Sequence, residues 1–203
     1  TMHACGHDTH VAMLVGAEAG QVVFTSGGTE ANNLALAGAG AGRRILVSAV
    51  EHDSVLRAAP EAEIIPVDAR GEVDLAALQA MLERDARPAL VCVMLANNET
   101  GATQPLALVT HLAHAHGALV HCDAVQAAGK MAIDVVRLEV DTMALSAHKL
   151  GGPQGAGALI VRDTVGLQPL LKGGGQERGW RAGTENVPAI RGFGVAARLA
   201  REE

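Results

Sequence analysis

The 203-residue chain has no tyrosine, one tryptophan (Trp180) and two phenylalanines (Phe24 and Phe193), so its core must be assembled from Ala, Val, Leu and Ile. A cysteine framework is also missing. Cys5, Cys92 and Cys122 show no paired spacing, which excludes a disulfide-stapled scaffold and is expected of reduced thiols in the cytoplasm. No apolar stretch approaches the ~18 residues of a membrane span, and nothing reads as a signal peptide. Basic runs are absent and the formal net charge is −6, so neither nucleic acid nor a membrane is an expected partner. There is no internal repeat and no low-complexity linker. Thr1 is not an initiator residue, as expected of a fragment or a processed chain.

Against these absences stand 24 glycines and a hydrophobic content of 49%, enough for one sizeable domain with many tight turns. Short apolar runs alternate with helical patterns. Strands are expected at 21–25, 44–49, 63–67, 88–95, 118–122, 142–145 and 156–161. Helices are expected at 29–38, 53–59, after the capping Asp74, at 105–116 before Gly117, and from Glu185 onward. The run at 88–95 is too apolar for a one-sided strand and reads as buried on both faces. This alternation predicts an α/β fold, a mostly parallel sheet with helices on both faces. In such sheets ligands gather beyond the carboxyl ends of the strands. The polar segments Thr25–Thr29, Glu51–His52, Asn97–Asn98, Asp123 and Ser146–Lys149 all fall there.

Each of these admits a plain reading. Gly27-Gly28-Thr29 leaves backbone N–H groups free at a helix start, where a phosphate is favoured, yet strand-to-helix turns often need glycine for structural reasons alone. Asp123 can be a helix cap, Asn98 a turn residue, His52 a satisfied histidine at a helix start, and Lys149 an ordinary surface lysine. Together they fit pyridoxal 5′-phosphate (PLP). A lysine at the end of an apolar run supplies the amine, and a carboxylate at Asp123 keeps the pyridine nitrogen protonated. Gln126, three residues on, faces the ring's phenolate oxygen.

Six segments then carry a resemblance: FTSGGTEANNLAL (24–36), EHDSVL (51–56), NNETGATQP (97–105), HCDAVQAAGK (121–130), SAHKLGGPQGAGAL (146–159) and GGGQERGWRAGTENVPAI (173–190). In order and spacing the chain resembles the cysteine desulfurases, class V aminotransferases of the fold-type I PLP group. The resemblance covers roughly residues 14–203 and implies the three-layer large domain of a PLP-dependent transferase. It implies that Lys149 is the Schiff-base lysine, that Asp123 pairs with the pyridinium and that Gln126 contacts the phenolate oxygen. It further implies that His52 stacks on the ring and assists proton movement, and that Asn98 contacts cofactor or substrate. Gly28, Thr29, Ser146 and His148 would hold the phosphate. Thr184 would reach the phosphate of a neighbouring subunit, hence a homodimer. The family reaction takes L-cysteine to L-alanine and passes the sulfur to an acceptor protein such as an iron–sulfur scaffold.

Two departures limit this expectation. The small domain, with the persulfide-forming cysteine and the substrate-clamping arginine, is expected to be missing beyond Glu203, and neither Cys92 nor Cys122 matches that cysteine. Residues 1–13 instead resemble the metal motif of N-acyl-amino-acid amidohydrolases, in which the matches to Cys5 and His7 are ligands. No further ligand segment follows, so they read as a joined segment without a working metal site. The expected function is cysteine desulfuration, incomplete in this chain. The alternatives are a related class V aminotransferase or selenocysteine lyase, and a catalytically silent dimerising module.

Overall fold

The computed structural model describes residues 7–202, His7 by its backbone only. Its centre is a seven-stranded sheet: β1 (Val22–Thr25), β2 (Arg44–Ser48), β3 (Glu63–Ile65), β4 (Ala89–Cys92), β5 (Leu119–Asp123), β6 (Thr142–Ser146) and β7 (Gly157–Val161). The spatial order is β1-β7-β6-β5-β4-β2-β3. The strands from β3 to β6 pair in parallel, while β7 runs antiparallel to both β6 and β1. The helices are α1 (His7–Leu14), α2 (Gly28–Gly38), α3 (Asp53–Leu56), α4 (Leu75–Arg84), α5 (Leu106–Ala115), α6 (Val135–Leu138) and α7 (Val187–Glu202). Among the described residues, no helix is long and apolar enough to cross a membrane.

A period of two along the strands divides the core into two layers. Phe24, Leu46, Val91, Val120, Met143, Leu145 and Ile160 face one side, where Val11 and Ala12 of α1 and Phe193 and Ala197 of α7 join them. Val23, Val47, Leu90, Cys92, Ala144 and Leu159 face the other, against Ala31, Leu34 and Ala35 of α2. Sheet strands buried on both faces require the unbroken apolar runs seen in the sequence. Small side chains let the layers approach without aromatic bulk: Phe193 is the one aromatic side chain that is fully buried among the described residues.

Most elements differ from the sequence expectation only at their ends. The 88–95 run is one example. Its ladder to β2 stops at Cys92, opposite Val47. Val93 and Leu95 still donate to the carbonyls of His121 and Asp123, but the Met94 N–H turns to the Glu51 carboxylate instead of a strand. The helix expected at 53–59 closes after Leu56, and Pro66 ends β3 two residues early, leaving Val67 in an isolated bridge with Val73.

The exposed edge of β1 is closed by side chains. Glu177 accepts from Phe24 N–H at 2.9 Å, and the Arg178 guanidinium donates to the carbonyls of Gly20 and Val22. Charged groups spent in this way blunt an edge that would otherwise pair with another chain. Arg181 continues the strap, pairing with Glu30 of α2 at 2.7 Å.

Candidate functional site

The carboxyl ends of β1, β2, β4, β5 and β6 open into a cavity of about 550 Å³. Its lining contains Gly28, Thr29, His52, Asn98, Asp123, Gln126, Ser146, His148 and Lys149, so nine of the ten residues singled out from the sequence meet there. Thr184 does not: it is exposed and lies outside the cavity lining. Cys5 lies outside the described residues, as does the side chain of His7. Among the described residues no three His, Cys, Asp or Glu side chains cluster as a metal site.

One wall is built for an anion. Helix α2 starts at Gly28, and the first-turn N–H groups of a helix have no partner within it. A Cβ at Gly28 would lie 2.6 Å from Val125 Cγ2, so the turn following β5 packs directly on this helix start. The preceding loop sits equally close to β7: a Cβ at Gly157 would be 2.5 Å from the backbone of Gly27. Across from them Ser146 Oγ and His148 Nδ1 are 2.9 Å apart at the end of β6. Lys149 follows in the 3-10 turn Ala147–Leu150 and is exposed at the cavity rim.

The floor is buried and polar. Asp123 ends β5 with 6% exposure, and its Oδ1 and Oδ2 accept from Val125 N–H at 2.9 Å and Asn32 Nδ2 at 2.7 Å. Burial pushes the Asp123 carboxyl above its usual range, against the opposing pull of those donors and of nearby His52. Gln126 receives a hydrogen bond from Lys130 Nζ on its Oε1 at 2.7 Å, which leaves its amide N–H groups to serve the cavity.

Asn32 and Ser54 also line the cavity, and His121 bonds to Asn32 from outside the lining; these three were not singled out from the sequence, whereas Glu51, likewise outside the lining, was named there beside His52. Asn32 is 1% exposed and joins Asp123, Ser54 Oγ (2.8 Å) and His121 Nε2 (3.0 Å). His121 is fully buried, and desolvation lowers its pKa to about 3, so it is neutral. Glu51 ends the β2 turn with Oε1 bonded to Ser48 Oγ and Met94 N–H, while Oε2 has no partner. Burial, helped by the neighbouring Asp123 charge, pushes the Glu51 carboxyl up to about 8 despite those two donors. Asn32, Ser54 and His121 lie within the segments that carry the resemblance (24–36, 51–56 and 121–130), on α2, α3 and β5, but nothing local to them marks their side chains as partners of one another.

A mixed sheet of this order, with its cleft at the carboxyl ends of the parallel strands, defines the class as an α/β ligand-binding domain. Within that class the chain belongs to the aminotransferase class-V family, which matches residues 6–203. It is 49% identical to the cysteine desulfurase of Cereibacter sphaeroides over 94% of this chain and 52% of that relative. Among solved structures it resembles the NifS-like protein from Rickettsia africae ESF-5 (TM-score 0.92, 36% identity, 98% of this chain and 58% of that one). It also resembles SspA in complex with cysteine (TM-score 0.84, 31% identity, 97% of this chain and 63% of that one). The chain spans about half the length of the curated relatives it matches.

Proposed function

We propose that this chain is the cofactor-binding part of a PLP-dependent cysteine desulfurase. The observation that carries the reading is one cavity holding a buried carboxylate, a lysine amine and a glycine-opened helix start. The residues fit PLP. Asp123 takes donors on both oxygens and is desolvated, so a cationic ring N–H offsets a charge the fold leaves strained. The α2 N-terminus with Ser146 and His148 supplies donors for a phosphate, in a space that a Cβ on Gly28 would narrow.

When bound, PLP supplies an electron sink for charge developing at the substrate carbon. The chain's own groups do the rest. Lys149 provides the amine for covalent attachment and, once released, can carry a proton to or from the substrate carbon. His52, the N-cap of α3 on the cavity wall, would stack on the ring and assist proton movement, and His148 lines the same cavity. Gln126 would donate to the phenolate oxygen, and Asn98 would contact cofactor or substrate.

In this reading L-cysteine becomes L-alanine and its sulfur joins an acceptor thiol as a persulfide. Cys92 and Cys122 are buried in the sheet, and desolvation raises both thiols well above their ordinary range, so neither described cysteine serves as that acceptor. The sulfur then passes to a partner such as an iron–sulfur scaffold in the cytoplasm. Thr184, exposed and apart from the cavity, is assigned to the phosphate of a second subunit in a homodimer. Residues 14–203 form the PLP-binding unit in this proposal, with 1–13 a joined segment whose described part completes α1 and packs Val11 and Ala12 into the same core. Titrating the protein with PLP tests the central point. A visible absorbance band that saturates at one PLP per chain and disappears in Lys149→Ala is expected; an unchanged band in that variant contradicts it.

A further inference from the structure

The floor of the cavity is a continuous chain of hydrogen bonds, and its donors and acceptors can be assigned one by one. Asn32 Nδ2 lies 2.7 Å from Asp123 Oδ2 and 2.8 Å from Ser54 Oγ. Reversing the amide would set its oxygen against the Asp123 oxygen with no proton between them, so Nδ2 faces both and donates both hydrogens. Asn32 Oδ1 is then an acceptor, and its partner at 3.0 Å, His121 Nε2, must carry the hydrogen. Neutral His121 therefore has a bare Nδ1, which accepts from Thr142 Oγ1 at 2.9 Å. On the other branch Ser54 Oγ accepts from Asn32, so its own hydroxyl proton is free to point at His52 Nδ1, 2.8 Å away. The backbone N–H of Ser54 reaches the same nitrogen at 3.1 Å as the N-cap bond of α3. A backbone amide can only donate, so both contacts from Ser54 agree that His52 Nδ1 is an acceptor.

We propose that Asn32 is a positioning residue that joins Asp123 to His52 through Ser54 and holds the His52 ring with its proton on Nε2. The two groups assigned to the edge and the face of a flat cofactor ring, the ring-nitrogen partner and the stacking imidazole, are thereby set relative to one another before any ligand enters. It also follows that His52 presents Nε2–H, and not a bare nitrogen, as its free hydrogen-bonding group. The value of this arrangement for PLP rests on the function proposed above, whereas the proton assignment does not.

Two-bond proton–nitrogen spectra of the histidine rings, taken on ¹⁵N-labelled full chain without added PLP, read the tautomers directly. Wild type is expected to show both His52 and His121 protonated at Nε2 with acceptor-type Nδ1. Ser54→Ala removes one of two donors to His52 and is expected to move its Nδ1 resonance toward that of an unbonded nitrogen, leaving His121 as in wild type. Asn32→Ala is expected to shift both rings, His52 by less than in Ser54→Ala, although Asn32 does not touch it. A wild-type His52 protonated at Nδ1 overturns the proposal. So does a folded Asn32→Ala protein in which His52 is unmoved. Should Asn32→Ala not fold, Ser54→Ala decides, and an unmoved His52 there has the same force. A separate PLP titration of wild type keeps the outcomes apart: absence of a visible band removes the PLP reading and leaves the ring assignments standing.

Discussion

The floor and the rim of the cavity are built on different principles. The floor, formed by Asp123, Asn32 and Ser54 with His121 behind them, is buried, and its side chains hold one another through short hydrogen bonds across β5, α2 and α3. The rim, formed by Thr29, His148 and Lys149, is exposed, and the partners of these side chains are few. Buried polar groups must be satisfied by the protein, whereas exposed ones can wait for a ligand. The floor thus sets geometry in advance and the rim retains groups that act on what binds.

The sharpest way to break this comparison is to compare stability losses on the two sides. His121→Ala leaves a hole and strips partners from Asn32 Oδ1 and Thr142 Oγ1, and is expected to cost about 3–4 kcal/mol. Lys149→Ala, on the rim, is expected to stay within about 0.5 kcal/mol of wild type. Urea unfolding of both proteins without PLP makes the test, and equal losses would erase the distinction.

Next in size is a pH effect from two groups buried near the floor, Glu51 and His121. The folded state keeps the Glu51 proton up to about pH 8, while an unfolded glutamate loses it near 4.5, so stability falls as pH rises across that interval. His121 works in the opposite sense: an unfolded histidine gains a proton below about 6.5 that the folded state refuses until about 3, so stability falls on acidification. Between 4.5 and 6.5 the two slopes oppose each other. Glu51→Gln removes one of them. It is expected to match wild type near pH 4.5 and to exceed it by roughly 2–3 kcal/mol above pH 8, measured as the difference in unfolding free energy. A gap that does not grow with pH would mean that Glu51 is ionised in the fold.

The smallest expected effect sharpens the boundary between the regions. Gly157→Ala drives a methyl group into the backbone of Gly27, and is expected to cost about 1–3 kcal/mol while weakening phosphate binding at the α2 start. Inorganic phosphate protection in thermal melts reads both consequences. A fully wild-type melt in phosphate would show that the loop yields without displacing the anion wall.

This division also explains what could be read from the sequence. The rim residues and Asp123 stand at strand ends among glycines, where motif and topology coincide, and nine of the ten expected residues do converge on one cavity. Asn32, Ser54 and His121 sit inside helices and a strand, where a polar residue is indistinguishable from a solvated or singly satisfied one until the partners 22 to 91 positions away are known. The positions of the seven strands and a mostly parallel sheet followed from apolar runs, whereas the spatial order, the antiparallel β7 and the element ends did not. Cys92 ends β4 because a side chain, Glu51, claims the following Met94 amide, and no local propensity encodes that claim. The β1 edge strap through Glu177 and Arg178 is likewise a contact across more than 150 residues.

The central claim, that the floor and rim together hold PLP on Lys149, is tested most directly by borohydride trapping. Protein incubated with PLP is reduced, digested and analysed by peptide mass spectrometry. The account predicts a pyridoxyl group on Lys149, absent from Lys149→Ala and reduced in occupancy in Asp123→Ala. A label on Lys130 or Lys172, or spread over surface lysines with Lys149 unmodified, would contradict it.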